Sequence, residues 1–127
     1  MRLLLDSHAL IWAVDQPSRL SAPASKALQD PANGLLLSAG TIWEISIKTG
    51  LKKLTLSLPF RLWMNQAIAD LDLDLVPITV EYADIQAGLP DHHRDPFDRM
   101  LICQSLEHNL LLATVDDIIK KYPAKIL

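Results

Sequence analysis

Short apolar runs alternate with longer stretches of helical periodicity along all 127 residues, the rhythm of an α/β fold. Residues 2–5, Arg-Leu-Leu-Leu, read as a buried first strand. Apolar side chains fall on every side of residues 8–14, as in a short core helix, and Pro17-Ser18 ends that segment. A second helix is expected from about Ser21, with Pro23 tolerated in its first turn, to about Asp30, where Pro31-Ala32-Asn33-Gly34 makes a turn. The second strand is expected at 35–38. A helix over 41–49 places Glu44 in its opening turn and stops at Gly50, a residue suited to the left-handed conformation that commonly closes helices. Further on, the pattern predicts a helix over 59–71, a strand at 73–76 and a helix over 79–87 closed by Gly88, with the Leu-Asp alternation after 71 bearing on register. Asp95 suits an N-cap and Pro96 the position that needs no donor, so a helix runs from there through His108. A buried strand at 110–113, a short amphipathic helix at 116–122 and an edge strand at 124–127 complete the pattern.

Half the residues are hydrophobic and 21% are charged, with no apolar-poor window, which fits one folded domain over 1–127. The single cysteine, Cys103, excludes an intrachain disulfide and a cysteine-built zinc site. Three leucines precede Asp6, far short of a signal peptide's apolar core, and no uncharged run is long enough to span a bilayer, so the expected location is the cytoplasm and not the membrane. A net charge of −3 argues against bulk attraction to nucleic acid, so any such binding must rest on local charge.

The informative pattern is the placement of four acids. Asp6 ends the first strand, Glu44 follows the second, Asp98 opens a long helix and Asp116 follows the strand at 110–113. If those strands are parallel, their carboxyl ends share the sheet edge where open α/β folds place ligands. Carboxylates crowded together repel one another unless a cation lies between them. An all-oxygen donor set suits magnesium or manganese, which bind phosphate oxygens alongside a few carboxylates, and phosphodiester hydrolysis is the corresponding chemistry. Ser7 and Thr114 supply hydroxyls beside two of the acids, and Arg99 is a candidate to offset transition-state charge.

Four ordered segments carry a resemblance: Leu4-Leu5-Asp6-Ser7-His8-Ala9-Leu10-Ile11-Trp12, Trp43-Glu44-Ile45-Ser46-Ile47-Lys48, His92-His93-Arg94-Asp95-Pro96-Phe97-Asp98-Arg99 and Thr114-Val115-Asp116. Together they span nearly the whole chain, which resembles the PIN-domain nucleases and especially the VapC-type toxins of bacterial toxin–antitoxin pairs. The resemblance implies a three-layer α/β/α fold around a mostly parallel sheet. It also implies a magnesium- or manganese-dependent endoribonuclease, usually a homodimer, that cuts structured RNA such as tRNA and is silenced by a cognate antitoxin. The family's four acids fall on Asp6, Glu44, Asp98 and Asp116, with Asp95 and Asp117 as neighbouring alternatives for the last two.

The same residues admit other readings. Glu44, Asp95 and Asp98 at helix starts can be simple dipole partners, whereas Asp6 after three buried leucines carries a desolvation cost unless paired or metal-bound. Adjacent His92 and His93 cannot both easily face one ion and are expected to be solvated or to touch RNA; His8 and His108 are expected to be structural or surface residues. Trp12, Trp43 and Trp63 are expected in the core or at an interface, since none lies in a basic stretch of sequence. Lys48, Lys52, Lys53 and Arg61 form the only basic stretch, with the three lysines as candidate RNA contacts. Setting the four site acids aside leaves eleven acidic against twelve basic residues, so the acidic balance is no objection. Trp43, Leu51, Leu54, Leu56, Trp63 and Met64 can form either core or an apolar groove for an antitoxin helix. A receiver-like module lacks its acceptor aspartate, since Glu44 is the only acid between Asp30 and Asp70, and a dehalogenase-like phosphatase wants an aspartate where His8 stands. A PIN-like module that binds RNA or protein without cutting is the remaining alternative.

Overall fold

The structure is a computed structural model that describes residues 1–127. In chain order its elements are β1 (Arg2–Leu5), α1 (Ser7–Asp15), α2 (Ala22–Gln29), β2 (Gly34–Ser38), α3 (Ala39–Gly50), α4 (Phe60–Asp70), β3 (Asp74–Val76), α5 (Val80–Gly88), α6 (Pro96–His108), β4 (Leu111–Ala113) and β5 (Lys125–Ile126), with single 3-10 turns at Pro17–Arg19 and Ile119–Lys121. The five strands pair in the order β3-β2-β1-β4-β5, every pair parallel. Parallel strands need crossover helices, which cover both faces of the sheet, so the strands are apolar on both sides.

The pleat then sorts the leucines of β1. Leu3 and Leu5 join Leu35, Leu37, Leu10, Ile45, Trp63 and Met64 in one core, beneath the helices that precede β3. Leu4 faces the other way, into a core with Leu36, Leu112, Tyr82, Leu101 and Ile102 beneath α5 and α6. All three residues are fully buried, and the layers are helix, sheet, helix, as expected.

Several local expectations change. Neither Gly50 nor Gly88 is left-handed; the positive φ angles belong to Lys52 (59°), Asp72 (50°) and Asn109 (52°). One residue beyond each, an amide reaches back five positions: Lys53 N–H to Lys48 O, Leu73 N–H to Ile68 O and Leu110 N–H to Ser105 O. These are the closing bonds of Schellman motifs, made here without glycine. Helix α3 starts earlier than expected because Ser38 Oγ accepts from Gly40 N–H at 3.1 Å, so Glu44 lies in the second turn and not the first. The segment 116–122 forms only the Ile119–Lys121 turn. Thr114 Oγ1 accepts from Asp116 N–H and Asp116 Oδ1 from Ile118 N–H, local bonds that compete with helix. His8 and Val14 are exposed, so α1 is not buried on every side as a core helix would be.

Leu37 is buried in β2 and Leu75, its register partner in edge strand β3, is exposed. Leu37→Ala is expected to cost about 2–5 kcal/mol in urea unfolding. Leu75→Ala should stay within about 0.5 kcal/mol. Equal losses would contradict the placement of β3 at an exposed edge.

Candidate active site

Strand β1 sits between β2 and β4, so the chain's course reverses beside it, and the carboxyl ends of all three strands meet at one edge. Asp6 leaves β1 there. Its N–H continues the ladder to Ala113 O at 3.1 Å, and its Oδ1 caps α1 by accepting from Ala9 N–H at 2.7 Å. Only 4% of Asp6 is exposed. Burial raises its carboxyl above the ordinary range; hydrogen bonds from the Thr114 hydroxyl and Ala9 amide oppose this, and the Glu44 charge adds to it.

Glu44 is buried on α3 and paired with Lys48 Nζ at 3.0 Å. Asp98, in the first turn of α6, is pushed up to about 7 by burial and by the charges of Asp95, Glu44 and Asp116, against the lowering effect of His93. Asp116 stays below its ordinary value: burial would raise it, but hydrogen bonds from the Ile118 amide and His93 outweigh burial. Asp98 and Asp116 converge on His93, and the charge of Glu44 acts on both Asp6 and Asp98 from α3. Of the alternative acids, Asp117 is outside, its side chain 89% exposed and paired with Lys120. Asp95 acts as the cap of α6, its Oδ1 accepting from Phe97 N–H at 2.8 Å and Asp98 N–H at 3.4 Å.

His93 is the cluster residue that sequence reasoning missed. Its side chain is only 11% exposed, and Nε2 lies 2.9 Å from both Asp98 Oδ2 and Asp116 Oδ2. Nδ1 accepts from Asp95 N–H at 3.2 Å, so Nε2 carries the hydrogen that faces the two carboxylates. Burial lowers the pKa of His93, but the hydrogen bond to Asp116 and the charges of Asp98, Asp116 and Asp95 outweigh it and raise the value. His92 is exposed and packs edge-on to the Tyr122 ring, so the two histidines do part company as expected. The available signal was local: His93 stands two residues before the α6 cap, within reach of the cap's own amide.

Arg99 requires correction. Its guanidinium donates to Gln86 O, Leu89 O, Pro90 O, His93 O and the Tyr122 hydroxyl, so it holds the loop before α6 and is not directed at the acids. Tyr122 completes that latch: its oxygen accepts from His92 N–H and His93 N–H and donates to Pro90 O. Ser7 is buried at the start of α1, and Lys52 is exposed. Among the tryptophans, Trp63 is core, Trp12 is half-buried and Trp43 is 61% exposed against the edge of Phe97. The proposed apolar groove splits likewise, Trp63 and Met64 being buried while Trp43 and Leu51 face solvent.

Carboxylates converging until one is pushed up to about 7 are the donor set that a hard divalent cation fits. Ligand atoms of His93, Asp98 and Asp116 all lie within 4.8 Å of one another. With its Nε2 hydrogen turned inward, His93 serves as a bridging donor, which leaves the oxygens as the candidate ligands.

A three-layer parallel fold with converging acids at its switch point defines a class that comparison then specifies. The chain belongs to the PIN-domain family, whose model matches residues 3–125. Among curated relatives it is similar to ribonuclease VapC22 of Mycobacterium tuberculosis, 31% identical over 115 residues that cover 90% of this chain and 86% of that one. Its fold is similar to that in VapBC2 of Rickettsia felis bound to a promoter DNA fragment, with TM-score 0.68, 14% identity and coverage of 100% and 98%. VapBC-1 of nontypeable Haemophilus influenzae is comparable, with TM-score 0.65, 17% identity and coverage of 100% and 97%.

Asp98 and His93 bind protons more tightly when folded, so the stability linked to them is present below their unfolded values and lost as pH rises through the folded ones. Asp116 acts oppositely, and only at lower pH. In EDTA, Tm should fall between about pH 5 and pH 8, and magnesium should recover more of it at the higher pH. Asp98→Asn should flatten both responses. A Tm that rises over that interval in EDTA would contradict the clustering.

Proposed function

We propose that this chain is a divalent-metal-dependent endoribonuclease, the toxin of a toxin–antitoxin pair, with Asp6, Glu44, Asp98 and Asp116 holding magnesium or manganese. The observation that carries this reading is the convergence of Asp98 and Asp116 on His93 beside buried Asp6 and Glu44 at the sheet's switch point, with Asp98 pushed up to about 7. Similarity to a protein named as a ribonuclease supports the substrate class.

A bound cation would polarise the phosphodiester and lower the pKa of an attacking water. The chain's own residues prepare the place. The Thr114 hydroxyl and Ala9 amide orient Asp6, and the His93 Nε2 hydrogen lies between Asp98 and Asp116. Lys48 sets a positive charge against Glu44, suited to meeting a phosphate. Lys52 and Lys53 extend that charge along the chain as RNA contacts.

The antitoxin and homodimer belong to the same reading. Solved relatives described as VapBC complexes support a partner protein. Exposed Trp43 and Ile47 on α3 and Leu51 just beyond it recur every four residues, with exposed Leu58 before α4 and Leu62 in its first turn, as an apolar helix-docking stripe requires. No helix is long and apolar enough to cross a membrane. The cytoplasm, where RNA is available, is the proposed location.

Purified, antitoxin-free protein should cut a small-RNA pool, tRNA included, with magnesium or manganese and not with EDTA. Asp6→Asn and Asp98→Asn should each lower the rate by more than about 100-fold, beyond the roughly 10–100-fold typical of groups that only orient a ligand. Tyr122→Phe should fall within that smaller range. RNA binding without cutting, by folded wild type across both metals, would favour the non-cleaving module.

A further inference from the structure

A cleft of about 340 Å³ opens between α1 and α3 and abuts the acid cluster. Ser7 and His8, which follow Asp6, line one end, while Lys48, the partner of Glu44, lines the opposite wall. The volume is at the small end of ligand clefts, roughly 300–1,000 Å³. Its charge departs from that of the whole chain: three of the twelve Lys and Arg residues line it, against one of the fifteen Asp and Glu.

That one acid, Asp15, has both oxygens engaged. Oδ1 accepts from the Ser57 hydroxyl and Trp63 Nε1, and Oδ2 accepts from Ser57 N–H. Arg19 and Lys53, by contrast, pair with no carboxylate. Arg19 is pre-positioned, its guanidinium 4.6 Å from the Trp12 ring centroid and donating to Gln16 Oε1 at 3.3 Å. Trp12 and exposed His8 form an aromatic wall, their ring centroids 5.7 Å apart. Unpaired cations beside aromatic rings are the two components by which proteins hold single-stranded nucleic acid.

We propose that this cleft binds one single-stranded RNA nucleotide adjoining the scissile phosphate, its phosphate on Arg19 and Lys53 and its base against Trp12 and His8. The assignment rests on the ribonuclease reading and adds a subsite to it. A paired base keeps its face in the helical stack, whereas an unpaired base is free to splay onto an aromatic side chain, so the subsite selects loops and single-stranded ends.

The test is fluorescence anisotropy of a labelled, short single-stranded RNA of mixed sequence, titrated with protein over a salt series in an Asp98→Asn background that does not cut. Exposed Arg19 and Lys53 permit Arg19→Ala/Lys53→Ala without disturbing the core. This pair should weaken binding at least about tenfold and reduce the salt slope by about 0.7, the value for one phosphate contact on a single strand. Lys26→Ala/Lys125→Ala, which removes two cations outside the cleft, should do neither. Unchanged affinity and slope, in a chain whose wild type still cuts RNA, would overturn the subsite and leave the nuclease standing. Wild type that neither binds nor cuts RNA would overturn the ribonuclease reading and the subsite with it.

Discussion

The structure depends on a repulsion that the fold enforces. Asp6 must emerge from the buried end of β1, because the three leucines before it belong to cores on both faces of the sheet. Glu44, Asp98 and Asp116 then arrive from α3, α6 and the segment after β4. Burial and the charges of Asp95, Glu44 and Asp116 push the Asp98 carboxyl up to about 7, so its ionised form is disfavoured where it stands. An arrangement with that cost persists where something offsets it. The His93 Nε2 hydrogen does so in part, and a divalent cation would do so more completely.

Arg99 and Tyr122 explain how His93 reaches that position. The loop before α6 has no regular hydrogen-bond ladder of its own, and the latch provides one, fastening carbonyls at 86, 89, 90 and 93 and amides at 92 and 93. The guanidinium's planar fork suits this task better than a lysine, whose single ammonium cannot serve so many oxygens in one plane. Two side chains remote from the acids thereby set the geometry at the acids.

Most of the fold was legible because its signals are local and periodic. The leucine runs, the helix start near Ser21, the cap at Asp95 and the alternation between strand and helix all carried through to the structure. Helix endings were less legible. Gly50 and Gly88 looked like left-handed caps, yet Lys52, Asp72 and Asn109 take that conformation, since tertiary packing and the closing hydrogen bond override intrinsic preference. The four acids were readable as candidates from spacing and the resemblance, and the structure sets Asp116 beside His93 and Asp98 while Asp117 stands in solvent. Contacts made across long separations were not readable. Trp12 lies in no basic stretch of sequence, yet folding sets Arg19, Lys48 and Lys53 around the cleft it lines. Arg99 looked like a charge for the transition state, because its donors' destinations are fixed only by the loop that folds over it.

The charge pattern acquires a spatial meaning from the same geometry. Acids concentrate at the switch point and unpaired cations line the adjoining cleft, so an acidic chain presents a polyanion with a cationic approach to a site that a metal ion would neutralise. The most direct measurement is an anomalous difference map from a manganese-soaked crystal. The account predicts one or two peaks bounded by carboxylate oxygens of Asp6, Glu44, Asp98 and Asp116. No peak at saturating manganese, or a peak held by His93 and remote from Asp6 and Glu44, would contradict it.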